Sequence, residues 1–322
     1  MTSIHVQDLT KDYGAKRAVD GLTLTVRPGR VTGFLGPNGA GKSTTMRLAL
    51  GLDRPTSGTA TIGGLPYREL AEPLRTVGAL LDAQAAHGSR TARDHLLALA
   101  VSNRLPARRV DEVLEEAGIA GVARKRIKTF SLGMRQRLGI AAALLGDPEV
   151  VLLDEPSNGL DPEGIIWIRE LLKRLAGEGR TVLVSSHLMN ETASFADHLV
   201  VLGRGRLLAD TPLKEFLDGR SRPRVRLRTT EPGRLCAALL RKGYEARQGD
   251  DGRWTVDGAR AEEIGALAAR EGVPLVELTD EQATLEQAYL SLTSDEAEFT
   301  TSTAPFTAPF TAPSTTTTNP EG

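Results

Sequence analysis

The chain has 322 residues, long enough for two domains. Its formal charge is −1, so no global basic field points to a nucleic-acid partner. A single cysteine, Cys236, excludes an internal disulfide and fits a reducing compartment; Met1 to Gly14 is polar where a secretory leader would be apolar, and no apolar run nears the ~18–20 residues of a spanning helix.

In chain order, residues 2–30 alternate apolar and polar positions. Ile4–Val6 and Leu22–Val26 read as antiparallel strands, punctuated by Gly14, Gly21 and Pro28-Gly29. Val31–Leu35 is a β-prone run, and Thr44–Leu50 reads as a helix. Between them lies Gly36-Pro37-Asn38-Gly39-Ala40-Gly41-Lys42-Ser43, a G-x-x-x-x-G-K-[ST] pattern without a mismatch. Thr59–Ile62 is a further short strand, residues 66–75 a short helix, and Val77–Leu81 a strand. Residues 91–145 are helix-rich, with Ala-Leu runs at Ala92–Val101 and Val110–Ala117, as an inserted lobe would be. Strands resume at Val150–Leu153, Val182–Ser185 and Leu199–Leu202, and Gly205–Leu208 closes this part of the chain.

Residues 222–292 read as a separate small domain of order β-α-β-β-α-β, a ferredoxin-like split βαβ pattern with a hairpin around Asp250-Asp251-Gly252. Leu285–Leu292 adds a last helix. From Thr293 the composition turns to Thr, Ala, Pro and Ser, with Phe306 and Phe310 in a short repeat; it is expected to be disordered.

Strand, glycine loop and helix around Gly36–Ser43 make a phosphate cradle. Backbone N–H groups turn inward, the helix N-terminus adds partial positive charge, Lys42 reaches the β and γ phosphates, and the Ser43 hydroxyl can hold Mg²⁺. A triphosphate is implied, but no particular chemistry. Val150-Val151-Leu152-Leu153-Asp154-Glu155-Pro156 narrows it: a buried strand delivers Asp154 toward the metal and Glu155 toward the γ phosphate, where it can act as general base. Asp161 before Pro162 reads as a helix N-cap. Val182–Ser186 delivers His187 at the end of a core strand, where open α/β sheets bind ligands. Phe130-Ser131-Leu132-Gly133-Met134 opens a helix that Ser131 caps; it lies in the helical lobe, which argues that its anion site serves another chain.

On these residues, from about Ile4 to Leu217, the chain resembles the ATP-binding subunit of an ABC transporter. The resemblance implies an α/β P-loop NTPase cassette with a RecA-like core, an antiparallel β subdomain and an inserted helical lobe at about 83–145. The cassette would span 1–220, an accessory α+β ferredoxin-like domain 221–292, and a disordered tail 293–322. It implies ATP and Mg²⁺ as cofactors and ATP hydrolysis as the activity. Tyr13 would stack on adenine, Gly36 to Ser43 with Thr44 would hold phosphate, and Lys42, Glu155 and His187 would be catalytic. Ser43 and Asp154 would hold Mg²⁺, with Asp82 reaching it through water. Asp161 ends the D-loop, and Ser131 and Gly133 would contact ATP on a second copy of the chain.

The expected partners are that second copy and a polytopic membrane permease, with no nucleic acid, at the cytoplasmic face of the plasma membrane. Leu132 and Met134 depart from the usual Leu-Ser-Gly-Gly-Gln signature and look like a form common in bacterial drug- and antibiotic-export cassettes. Asp82 stands where a glutamine is usual, with Gln84 two positions on as a possible equivalent. The alternative is a soluble ABC-type ATPase acting on ribosome or DNA; the paired cassettes or long coiled coil of such proteins are not found in this sequence.

Overall fold

The computed structural model describes residues 2–220, 224–249, 251–281, 284–290 and 292. The expected disordered tail and Asp250 of the expected hairpin turn lie outside the described residues.

The chain opens with β1 (Ile4–Tyr13), β2 (Lys16–Val26), β3 (Arg30–Leu35) and β4 (Ser57–Ile62). β2, β1 and β4 form an antiparallel three-stranded sheet with β1 in the middle. β1 runs well beyond the Ile4–Val6 that alternation predicts. A bulge between Val6 and Leu9, with Asp8 at φ 47°, breaks the two-residue period and returns Leu9 to the buried face.

β3 belongs to a second sheet with β5 (Val77–Leu80), β6 (Val150–Asp154), β7 (Thr181–Ser186), β8 (His198–Gly203) and β9 (Arg206–Pro212). Its order is β5-β6-β7-β3-β8-β9, parallel except for β9. Both faces are covered, which is why these strands read as continuous apolar runs. Along β6, Val151 and Leu153 join one core cluster and Val150 and Leu152 the other. The second cluster is shared with the three-stranded sheet and with the helix Lys42–Ala49. The first takes in the helix Pro162–Gly177 and the helical lobe, built from Ala92–Ser102, Arg108–Glu116 and Leu132–Leu144.

The single helix expected over 66–75 is instead a 3-10 turn, Tyr67–Glu69, and a short helix, Pro73–Thr76. Pro73 has no N–H and disfavours a helical residue before it; Glu72 sits at φ −127°, ψ 76°.

The C-terminal part contains β10 (Arg224–Thr229), β11 (Ala246–Gln248), β12 (Trp254–Asp257) and β13 (Leu275–Glu281), with helices Pro232–Arg241 and Ala261–Arg270. The order β11-β12-β10-β13, antiparallel throughout, is that of a split βαβ sheet. It has its own core around Val225, Leu227, Leu239, Val256 and Ile264. The last helix differs from the reading that groups it with this domain. Residues 285–290 are helical, yet Leu285 and Ala288 bury themselves with Phe216 in the core of the larger unit.

Candidate nucleotide site

Strand register builds the site. Leu35 is paired with Ser186 and Asp154 with Ser185, so the C-terminal ends of β3, β6 and β7 are level. The loops that leave them carry Gly36–Ser43, Glu155 and His187 to one edge of the sheet. A cavity of about 280 Å³ opens there, lined by Tyr13, Asn38 to Thr44 and Glu155, with Lys16 and Ala18 from β2.

Lys42 is the one buried cation of this cavity, 6 % exposed. Its Nζ donates to the carbonyl of Gly36 at 2.6 Å and of Pro37 at 3.4 Å. These two residues therefore stand behind the cavity, and their carbonyls hold the ammonium where phosphate oxygens would compete for it. Burial pushes the Lys42 pKa down, and Glu155 and Asp154 pull it back up. The Ser43 side chain is exposed to the cavity, while Thr45 turns back to bond the Gly41 carbonyl.

Glu155 joins the parts. One carboxylate oxygen lies 4.0 Å from Lys42 Nζ, and the other is 2.7 Å from Nδ1 of His187. Its backbone has φ 49°, a conformation a non-glycine residue adopts only when its surroundings impose it. The backbone N–H of Glu155 donates to the Ser185 hydroxyl at 3.0 Å, and that hydroxyl donates to the Asp154 carboxylate. Ser185 thus fixes both acids.

Tyr13 is half exposed at the far end of the cavity. Its hydroxyl donates to Asp53 at 2.8 Å, and Arg47 clamps the same carboxylate. Arg47 first, then Tyr13, hold the Asp53 pKa down to about 2. The Lys11 ammonium lies 4.8 Å from the Tyr13 ring centroid.

Three sequence-assigned groups are not brought to the cavity. Ser131 caps the helix Leu132–Leu144 by accepting from Met134 N at 3.2 Å, and Gly133 packs against the Gly159 carbonyl; neither lines the cavity. Asp161 caps the next helix through Gly164 N at 2.9 Å. Asp82 follows β5, the edge strand, and its carboxylate accepts from Gln84 N at 2.7 Å. It faces a separate groove of about 540 Å³ that also includes Leu52, Leu74, Leu81 and His95. Conversely, Lys16, Asp53, Gln136 and Ser185 belong to the site's framework and were not singled out from sequence.

The ABC transporter family profile matches residues 19–158. The bacitracin transport ATP-binding protein BcrA of Bacillus licheniformis is 36 % identical over 298 residues, 90 % of this chain and 97 % of that one. This chain belongs to the ABC transporter ATP-binding family. The daunorubicin resistance ATP-binding protein DrrA3 of Streptomyces coeruleorubidus is 33 % identical over 306 residues, covering 92 % of this chain and 97 % of the relative. Among solved structures, the cassette MJ0796, a dimer in a post-hydrolysis state bound to ADP and Pi, aligns with TM-score 0.60 at 27 % identity, covering 65 % of this chain and 98 % of that one. Residues 223–286 of this ABC ATPase match a profile described only as a domain of unknown function. Among the described residues of the cassette no helix is long and apolar enough to cross a membrane.

Proposed function

We propose that this ABC ATPase powers export of an antibiotic-like small molecule through a separate permease, docked at the cytoplasmic face of the membrane, and that it works as a head-to-tail homodimer. The observation that carries the catalytic part is the Glu155 carboxylate, set between Lys42 and His187 at the edge of the phosphate cavity. An ionised carboxylate there accepts a proton from the attacking water, while His187 fixes its orientation and Lys42 neutralises phosphate charge. Tyr13, tethered by Asp53, offers its ring to adenine. Ser131 and Gly133 lie on a different surface of the chain, which supports their service to the nucleotide of a second copy.

The donors near the cavity suit Mg²⁺. Ser43 offers a hydroxyl and Asp154 a carboxylate, both hard oxygens, and among the described residues no group of three or more His, Cys, Asp or Glu forms a cage. Ser43 and Asp154 would hold such a cation together with substrate phosphates and water, as suits Mg²⁺. When bound it would neutralise charge on the β and γ phosphates.

Three facts support the export and docking parts. The full-length relatives named for bacitracin transport and daunorubicin resistance match along 97 % of their own length. The signature carries Leu132 and Met134. The groove beside Asp82 is lined mostly by apolar side chains, Leu52, Leu74 and Leu81 among them, the kind of surface that takes the apolar face of a partner's helix.

Glu155→Gln tests the site. Phosphate release should fall by roughly 10²–10⁴-fold, while ATP drives the variant from monomer to dimer on a sizing column. Turnover at the wild-type rate would remove Glu155 as base. Recovery in membranes only with a co-expressed polytopic partner tests the docking.

A further inference from the structure

Gln136 is the most deeply buried polar side chain of the signature helix, 4 % exposed, and hydrolysis as described above makes no use of it. Its Nε2 donates to the main-chain carbonyl of Glu155 at 3.0 Å. The same carbonyl accepts from Asn158 N at 3.2 Å, closing the turn that follows β6. On its other side, Glu155 is held through its N–H by Ser185. The residue carrying the reactive carboxylate, at φ 49°, is thus gripped front and back by two side chains from different elements. A buried amide aimed at a strained peptide is a costly arrangement unless the contact is made, because each group loses water on burial.

The helix that bears Gln136 begins at Ser131 and Gly133. Its first turn also packs on the same post-β6 turn: a Cβ at Gly133 would fall 2.6 Å from the Gly159 carbonyl oxygen. Any shift of this helix therefore moves the backbone of Glu155. We propose that Gln136 is a positioning residue that couples the two nucleotide sites of the dimer. When the N-terminus of the signature helix closes on the partner's ATP, Gln136 sets the peptide of Glu155, and so aims the carboxylate that serves its own chain's ATP. This inference rests on the head-to-tail dimer and on Glu155 as base.

Gln136→Met removes the donor and keeps the volume. Its kcat for ATP hydrolysis should fall by about ten- to hundredfold, the cost of displacing a reacting group by about 1 Å. KM for ATP should stay within about twofold, because no group that touches nucleotide changes. ATP-bound dimer should accumulate with Glu155 still in place, because the closed state outlives a slowed hydrolysis. A merely structural loss would loosen the signature helix and deplete that dimer instead. Wild-type kcat, or loss of kcat together with loss of dimer, overturns the proposal. If the Met variant does not fold, Gln136→Asn decides by the same readouts: it keeps the amide but is one methylene too short for the 3.0 Å contact. Wild-type hydrolysis and the ATP dimer of Glu155→Gln are the controls. If these fail, the reading of the site falls; if they hold and the Gln136 variants behave as wild type, only the coupling falls.

Discussion

At the scale of single residues, the site is a set of charges each held by a named neighbour. Lys42 is parked on carbonyls, Asp154 on Ser185, and Tyr13 on Asp53. The last tether has a pH signature. A carboxyl held below its ordinary value stabilises the fold above that value, and the contribution is lost as pH falls from 3.8 to about 2. Asp53→Asn should therefore lower Tm modestly near neutrality and flatten its fall across that acid window, so that variant and wild type converge toward pH 2, by calorimetry. Asp53→Ala, which removes the acceptor that Asn would keep, should also free the Tyr13 ring. Losing one such hydrogen bond is worth about 1 kcal/mol, so KM for ATP should rise roughly fivefold with kcat retained. An unchanged KM would mean that Tyr13 does not meet adenine or does not need its tether.

At the scale of elements, what was legible in the sequence was what is contiguous in it. Gly36–Ser43 and Val150–Glu155 each carry strand and turn chemistry in one stretch, so their element and role could be read together. Asp53, Gln136 and Ser185 act through contacts 40, 19 and 31 positions away, to Tyr13, Glu155 and Asp154. No local pattern encodes such contacts. The length of β1 escaped for a related reason, since a bulge resets the period that reveals a strand. Asp82 was assigned by its place after β5, yet β5 is three strand spacings, roughly 14 Å, from β3. Close packing of the signature helix on β5 is similarly invisible in one dimension. A Cβ at Gly78 would lie 1.9 Å from the Ala143 carbonyl oxygen of that helix, and backbone cannot step aside as a side chain does. Gly78→Ala should cost about 1–3 kcal/mol in urea unfolding. Gly139→Ala, which meets only the end of Leu80, should cost less. Equal costs would show that the helix is free to lift off the sheet.

At the scale of the whole molecule, the order of elements in the sequence sets residues 222–292 apart as a small domain, and residues 224–281 form a split βαβ sheet with its own core. The chain then returns. Leu285, 2 % exposed, and Ala288, 1 % exposed, complete the cassette's core beside Phe216, with Tyr289 packed against it. The small domain is thus an excursion between two segments of one core, and a truncation before it that also takes away the last helix cannot be neutral. A chain ending at residue 222 should lose stability even though every nucleotide-site residue remains. Leu285→Ala in the full chain should cost about 2–5 kcal/mol, the price of emptying a buried leucine site. The decisive form joins residues 1–220 to 284–292 through a flexible linker, without the split βαβ sheet. If the last helix is part of the cassette core, this chain should melt close to the full-length protein and well above the one that stops at 222. If all three melt alike, the helix contributes nothing and the cassette is complete before the small domain begins. If only the full-length chain is stable, the small domain itself braces the cassette, and the coupling runs through its sheet and not through Leu285.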